Sequence, residues 1–427
     1  MPHQRKCSKS EVVQARQSKR IVFPIGKEEY ERLIGDTDAF RAYLNQLIEQ
    51  HPELFPAEIK QGYRWYGLYP RSKKMPEVRM RRIRLKSSET DEVFTLAPSF
   101  ILPYGMGQVE DAEKALFLRR FGVPYWGLSY VFGRNDMYWQ RLENHLGRYD
   151  VVGTTVKNPE RLPEHLLADE KHVKWNGEKA YLATTVAQDC VLGVALALKA
   201  DSPSLTAAYG QFQQEAARLD PTYQPQTVNT DGWDATQQAW RTLFPKIVVI
   251  ECFLHAFLKI RDRAKRLKTL FTTIEQRVWD AYHALDAQDF YQQLADFESW
   301  ATQHLTGPAL EAVHKLCAKA PRFALAFNYP NAHRTSNMID RHMEPLARCL
   351  FSARFFHGHR ISADFQMRGW ALLHNFQPYC PRAHIREDYS SPVHQLNAFV
   401  YHDNWLHNLL ISTSVQHVLY VPQNSLE

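Results

Sequence analysis

Residues 165–198 read HLLADEKHVKWNGEKAYLATTVAQDCVLGVALAL, and this stretch decides the fold. Its apolar and β-branched runs predict three strands. The first runs through Leu166–Ala168 into Asp169, and the other two follow within 181–198. Asn176-Gly177 is a two-residue hairpin signal. The three strands are therefore expected to pair antiparallel.

The next part of the chain alternates helix and strand. Residues 204–219 carry apolar side chains at helical spacing, and Thr227-Val228 is a short strand that delivers Asp231. A second helix leads to Ile247–Ile250, a buried run typical of a parallel strand. This order predicts an α/β core with a ribonuclease-H-like mixed sheet. In such a sheet, the acid after the first strand and the acid after the fourth lie side by side.

Four segments carry a family resemblance. They are ADEKHVKWNGEKAYL (168–182), TDGW (230–233), ECFLH (251–255) and RTSNMIDR (334–341). In this order they resemble the DDE/D transposases of bacterial insertion sequences, related to the Mutator-like group. The resemblance covers roughly residues 160 to 370.

The resemblance implies a catalytic site of three carboxylates, Asp169, Asp231 and Asp340, that hold two Mg²⁺ or Mn²⁺ ions. Two such ions about 3.5–4 Å apart activate the attacking oxygen and neutralise the leaving oxygen at phosphorus. Mg²⁺ prefers carboxylate oxygens, which suits a site without thiolate ligands. The Cys-x-x-His pair at 252 and 255, together with His333, is expected beside the site. Zinc would need two more ligands there, and none follows nearby.

The third acid has two candidates. Asp340 stands three residues after Asn337, as the family pattern requires, and Glu344 lies one helical turn further on. Pro345 is expected to kink a helix that begins near Asn337. The first two acids also have structural interpretations: Asp169 as a turn residue, and Asp231-Gly232 as an ordinary turn.

The composition is that of a globular protein. Among 427 residues, 44% are hydrophobic, 23% are charged and the formal net charge is +6. The six cysteines are scattered without a Cys-x-x-Cys pair, which argues against a disulfide framework or a four-cysteine zinc site. No apolar run approaches the length of a membrane span. We therefore expect a cytoplasmic protein with no membrane partner, and the resemblance implies that it is nucleoid-associated.

The amino-terminal third is predicted to contain two regions. Residues 1–60 are interpreted as helical, with Gly35-Asp36 separating two short helices. Residues 61–107 are interpreted as a basic β-rich module, either laying cations along DNA phosphates or forming a merely solvated hairpin. Alternation along 78–85 is imperfect, because Ile83 and Leu85 share a face with two arginines and neither face is cleanly apolar. The cations of the module are Arg71, Lys73, Lys74, Arg79, Arg81, Arg82, Arg84 and Lys86.

Residues 108–155 are predicted to be a helix-turn-helix-like segment. Helices are expected at 113–121, 125–132 and 136–146, with Asn135 as the amino-terminal cap of the last. Side chains on that last helix suit base edges and phosphates, although a packing unit without a DNA role is the alternative. The DNA-binding candidates here are Arg134, Tyr138, Arg141 and Asn144.

The remaining boundaries follow from helical periodicity. The catalytic core is predicted at 160–262 and 331–375, interrupted by an all-helical insertion at 263–330. A tail at 376–427 is expected to pack on the core.

The leading functional hypothesis is a DNA transposase that binds element ends and catalyses metal-dependent strand cleavage and strand transfer. Its partners would be the terminal inverted repeats, target DNA and further copies of the chain in a dimer or larger oligomer. A catalytically inactive DNA-binding derivative and a metal-dependent nuclease without strand transfer are the alternatives.

Overall fold

The computed structural model describes residues 19–70, 75–86 and 92–416. It shows an α/β protein with two mixed sheets and many helices. The predicted cations at positions 71, 73 and 74, the first 18 residues of the predicted helical region and the end of the tail lie outside the described residues.

The first sheet contains four strands in the order β1-β4-β3-β2. Strand β1 pairs with β4 in parallel, and the other pairs are antiparallel. Helices α1 and α2 cover one face, and Asp36 separates them by accepting the amide protons of the next helix at 3.0 Å. The predicted helical region and β-rich module therefore share one core. The elements are β1 (Arg20–Phe23), α1 (Lys27–Gly35), α2 (Thr37–Gln50), β2 (Tyr63–Leu68), β3 (Arg81–Leu85) and β4 (Val93–Pro98).

Three helices follow at the predicted positions, α3 (Glu113–Arg120), α4 (Tyr125–Phe132) and α5 (Asp136–Leu146). Asn135 caps α5 as predicted, because its side chain accepts the amide proton of Tyr138 at 2.8 Å. A short helix, α6 (Val151–Thr155), leads to the second sheet.

The second sheet is five-stranded, with the order β7-β6-β5-β8-β9. The first three strands in sequence pair antiparallel, whereas β8 lies parallel to β5 and β9 parallel to β8. The predicted antiparallel hairpins and the parallel pair are thus confirmed. The strands are β5 (His165–Trp175), β6 (Glu178–Ala187), β7 (Cys190–Ala197), β8 (Thr227–Thr230) and β9 (Val248–Glu251).

One expectation about β5 is wrong. The strand does not end near Asp169 but continues to Trp175, because β6 pairs with it from Leu167 to Trp175. Asp169 lies opposite Thr184 within this ladder. It nevertheless lies just beyond the three residues of β5 that pair with β8.

Helices cover both faces of this sheet. On one face, α7 (Ser202–Leu219) and α8 (Asp234–Leu243) bury an aromatic core around Trp240. On the other, α14 (Asn337–Ser352) and α15 (Arg360–Phe376) share a core with α3 and α5. The predicted kink at Pro345 does not break α14, whose buried face continues on both sides of the proline.

A helical insertion separates β9 from α14 and has a core of its own. That core begins at Phe253, earlier than the predicted start of the insertion. Its helices are α9 (Phe253–Ala264), α10 (Thr269–Tyr282), α11 (Ala287–His304), α12 (Gly307–Ala318) and α13 (Ala320–Ala324). In the tail, α16 (Pro392–Asn397) and α17 (Trp405–Ser412) pack on the main cores.

Candidate active site

Two of the three predicted acids lie on or directly after neighbouring parallel strands. Leu167 of β5 lies opposite Asn229 of β8, so Asp169 within β5 and Asp231 after β8 each stand two residues beyond this pair. Burial, together with the negative charges of Asp231 and Asp340, raises the pKa of Asp169 to about 6. The structure therefore brings the three acids together.

The turn that carries Asp231 requires a glycine. Gly232 has φ +89°, and a Cβ atom there would lie 3.1 Å from Oε2 of Glu251. Oδ1 of Asp231 accepts the amide proton of Trp233 at 2.9 Å. The aspartate thus does form a turn, as its structural interpretation proposed, and the turn also directs it to the site edge.

The structure distinguishes between the candidates for the third acid. Oγ of Ser336 donates a hydrogen bond to Oδ2 of Asp340 at 2.9 Å. Glu344 instead pairs with Arg348, and its side chain is 69% exposed. Of these two acids, it is Asp340 whose negative charge raises the pKa of Asp169.

Cys252 and His255 form a polar cluster with Ser336 beside the acids. The Ser336 amide donates to Sγ of Cys252 at 3.2 Å, and the Ser336 hydroxyl lies 3.5 Å from Nδ1 of His255. The hydrogen bond with Cys252 is the main cause that raises the pKa of His255 to about 9, and the charges of Asp169 and Asp231 add to it. At neutral pH His255 is therefore a cation facing the carboxylates.

The pKa of the Cys252 thiol shifts in the opposite direction, downward. Burial alone would raise its pKa, but hydrogen bonds with His255 and Ser336 hold the pKa below its usual value. Cys252 and His255 thus shift each other's pKa beside the acids.

His333 lies on the segment that returns from the insertion. Its carbonyl accepts a hydrogen bond from Nδ2 of Asn229 at 2.9 Å, which ties this segment to β8. Burial and the nearby His165 lower the pKa of its imidazole. The adjacent Arg334 covers the rings of Tyr282 and Phe327 rather than the acids.

Two further glutamates surround the site and were missed by sequence reasoning. Glu170 faces the opposite side of β5 from Asp169, where Tyr209 and Thr236 donate to its Oε1 at 2.8 and 2.6 Å. Burial raises the pKa of Glu170 to about 7, even though these hydrogen bonds lower it. The alternation of the strand could have indicated its burial, but not its partners.

Glu251 is the second missed glutamate, and it ends β9. Oε2 accepts a hydrogen bond from Lys319 at 2.7 Å, and Oε1 pairs with Arg322. These cations come from the end of α12 and from α13, so Glu251 joins the helical insertion to the turn at Gly232.

The donor chemistry of the site fits a hard divalent cation. The acids offer only carboxylate oxygens, and burial together with their mutual repulsion raises the pKa of Asp169. Across residues 19–70, 75–86 and 92–416, however, no group of three or more His, Cys, Asp or Glu side chains is arranged to hold a metal ion. The three acids are therefore neighbours, but their oxygens are not arranged as the ligands of a metal ion.

The predicted DNA-binding arginines of β3 point in two directions. Arg81 faces the helical layer, where it donates to the carbonyl of Ile34 at 2.7 Å and covers the rings of Phe40 and Trp65. These contacts hold the guanidinium of Arg81 against the helical layer, and its role as a DNA contact stays a prediction. Arg79 is exposed just before β3.

The other two predicted arginines of β3, Arg82 and Arg84, face the opposite side. Both lie over the ring of Tyr66 on β2.

Helix α5 presents only part of its predicted face. Arg134 and Arg141 are exposed. Tyr138 is half-buried and donates to the carbonyl of Met106 at 3.1 Å, and Asn144 is half-buried as well. The buried part of Tyr138 thus lies against the loop that carries Met106.

No family model matches this chain, and a search of curated proteins found no match. Within the described part of the chain, no helix has the length and apolar composition needed to cross a membrane.

Proposed function

We propose that this protein is a DDE/D-type DNA transposase with a ribonuclease-H-like core, which cuts DNA at element ends and joins the 3′ ends to target DNA. The observation that carries the proposal is the meeting of Asp169, Asp231 and Asp340 at one edge of the second sheet. The strand order and the insertion between the second and third acids agree with what the resemblance implies.

In this proposal the three aspartates hold two Mg²⁺ or Mn²⁺ ions. When bound, such ions lower the pKa of a coordinated water or hydroxyl and stabilise charge on the leaving oxygen. His255 places a positive charge beside the acids, which offsets part of their repulsion. Ser336 orients Asp340 through its hydroxyl.

The proposal includes assembly of two or more copies on DNA and a location at the nucleoid. The two alternatives differ from it in their products. A DNA-binding derivative would bind without cutting, and a simple nuclease would cut without joining ends to target DNA.

The test uses the full-length protein and a supercoiled plasmid that carries the DNA flanking its gene. We expect cutting and end joining with Mg²⁺ or Mn²⁺, and binding without cutting with Ca²⁺. Asp169→Asn should abolish cutting and retain binding. Asp234→Asn is the matched control, because this exposed acid begins α8 outside the cluster. Undiminished cutting in excess chelator, or by Asp169→Asn, would contradict the proposal.

A further inference from the structure

The carboxylate of Glu251 lies between the helical insertion and the turn that carries Asp231. In the parallel ladder Glu251 lies opposite Thr230, the last residue of β8, so it ends its own strand beside this turn. Its side chain is only 4% exposed. A Cβ atom at Gly232 would lie 3.1 Å from Oε2 of Glu251. The buried carboxylate therefore packs directly against the turn.

The insertion supplies the cations that pair with this carboxylate. Nζ of Lys319 donates to Oε2 at 2.7 Å, and Arg322 donates to Oε1. Lys319 joins α12 to α13, and Arg322 lies within α13. Gln237 of α8 adds a further hydrogen bond to Oε1 at 3.3 Å. We call Glu251, Lys319 and Arg322 the Glu251 cluster.

Glu251 is charged and depends on these two cations. Burial alone would raise its pKa, but hydrogen bonds from Lys319 and Arg322 hold the pKa below its usual value. A buried charge that loses its partner is strongly destabilising. Both carboxylate oxygens are engaged by the insertion, so Glu251 supports the neighbouring turn rather than adding a fourth acid to the site.

The other hydrogen bonds of the turn are local. Oδ1 of Asp231 accepts the amide proton of Trp233 at 2.9 Å, and the amide of Gly232 donates to the hydroxyl of Thr230 at 3.4 Å. These bonds fix the shape of the turn. Its contact with Glu251 joins it to the insertion.

We propose that Lys319 and Arg322 are positioning residues, which act through Glu251 to hold the second acid, Asp231, in place. The turn then keeps its position only while the insertion is docked. The role of Asp231 as a metal ligand rests on the proposed function, whereas the coupling of its turn to the insertion rests on the contacts of Glu251. The insertion thus supports the site without contacting the reacting atoms.

The first readout is hydrogen exchange at the Trp233 amide, measured by mass spectrometry on the full-length protein without metal. This amide reports on the turn because it donates to Oδ1 of Asp231. In Lys319→Gln/Arg322→Gln we expect its exchange to be roughly tenfold faster, because local opening becomes more populated. Amides of β6, three strands away from β9, should keep their rates. A loss of overall stability would instead accelerate both.

The second readout is the Mn²⁺ dependence of plasmid cutting. A displaced ligand weakens metal binding, so the half-saturating Mn²⁺ concentration of the double variant should rise roughly tenfold. Cutting at saturating Mn²⁺ should change much less, because all three acids are still present.

Two further variants serve as controls. Lys315→Gln removes the same charge from an exposed position of α12, one helical turn before Lys319, and should behave like the wild type. Lys319→Arg keeps the charge opposite Glu251 and should retain wild-type exchange at Trp233.

Three outcomes overturn the positioning role: unchanged exchange at Trp233 in the double variant, equal acceleration in β6, or the same effect from Lys315→Gln. If the double variant does not fold, Lys319→Gln alone decides. It keeps the pair with Arg322, and unchanged exchange at Trp233 in this variant overturns the role as well.

The two proposals fail in different ways. If exchange at Trp233 responds as expected but no metal supports cutting, the proposed function fails and the coupling of the turn to the insertion stands. If cutting occurs while the double variant keeps wild-type exchange and Mn²⁺ dependence, the positioning role is wrong and the function stands.

Discussion

The hydroxyl of Ser336 donates a hydrogen bond to Asp340 one helical turn further on, with 2.9 Å between the oxygens. The amide of the same serine donates to Sγ of Cys252, immediately after β9. Ser336 thus connects the first turn of α14 to the edge of the second sheet. The third acid depends on this attachment for its orientation.

Ser336→Ala should therefore weaken the site without removing an acid. Loss of a partner that orients a metal ligand costs about 10–100-fold in metal affinity or activity. We expect cutting to fall roughly tenfold and the half-saturating Mn²⁺ concentration to rise. Ser352→Ala, at the far end of α14, removes a hydroxyl that bonds only to the carbonyl of Cys349 and should change neither quantity.

The two candidates for the third acid can be separated by matched substitutions. Asp340→Asn should reduce cutting more than about a hundredfold, because loss of a ligand exceeds loss of a supporting residue. Glu344→Gln should retain cutting, since Glu344 is exposed and pairs with Arg348. The measurement is plasmid cleavage at saturating Mn²⁺. The reverse pattern would move the site by one helical turn.

Glu170 should make the stability of the protein depend on pH. Its pKa is raised from 4.5 to about 7 in the folded state. Between these values the folded state binds more protons than the unfolded state, so the free energy of unfolding decreases as pH rises. The Glu170→Gln variant lacks this ionisable group and therefore its pH dependence. Its stability relative to the wild type should increase by about 2–3 kcal/mol from pH 5 to pH 8.

Urea unfolding at the two pH values measures this difference. Glu178→Gln on β6 is the control, because this side chain is exposed, and its stability relative to the wild type should be the same at both pH values. A Glu170→Gln variant that shows no more pH dependence than the control would contradict the assignment.

Gly147 allows α5 to approach α15 closely. A Cβ atom at this position would lie 1.8 Å from the carbonyl oxygen of Phe365, which is backbone and cannot rotate away. Gly147→Ala should lower the free energy of unfolding by about 3 kcal/mol or more, at the upper end of overpacking costs. Gly35→Ala has open space around the added methyl group and should change it by less than about 0.5 kcal/mol. Chemical denaturation compares the two.

Local signals predicted much of the architecture. The bounds of α4 and α5, the cap at Asn135 and the separation of α1 from α2 follow from turn and capping residues that act within a few positions. The meeting of Asp169 with Asp231 was also predictable, because parallel neighbouring strands present their ends at one edge.

Long-range partners account for what the sequence did not predict. Whether Arg81 faces a ligand or the core depends on Ile34 and Phe40, which lie on separate helices. The ion pairs of Glu251 depend on how the insertion docks. Pro345 remains within α14 because packing on both sides of it outweighs one lost backbone hydrogen bond.

The close approach at Gly147 bears on the distance between DNA bound to α5 and the site of cutting. A second glycine, Gly369, repeats it on α15, where a Cβ atom would lie 2.3 Å from the carbonyl of Glu143. Because α5 and α15 approach closely at these two points, we expect α5 to move together with α15 and the second sheet. If α5 binds DNA, its fixed position sets the number of base pairs between the bound segment and the cut. Inserting a single base pair, about 3.4 Å of duplex, would carry the scissile bond out of reach of the acids.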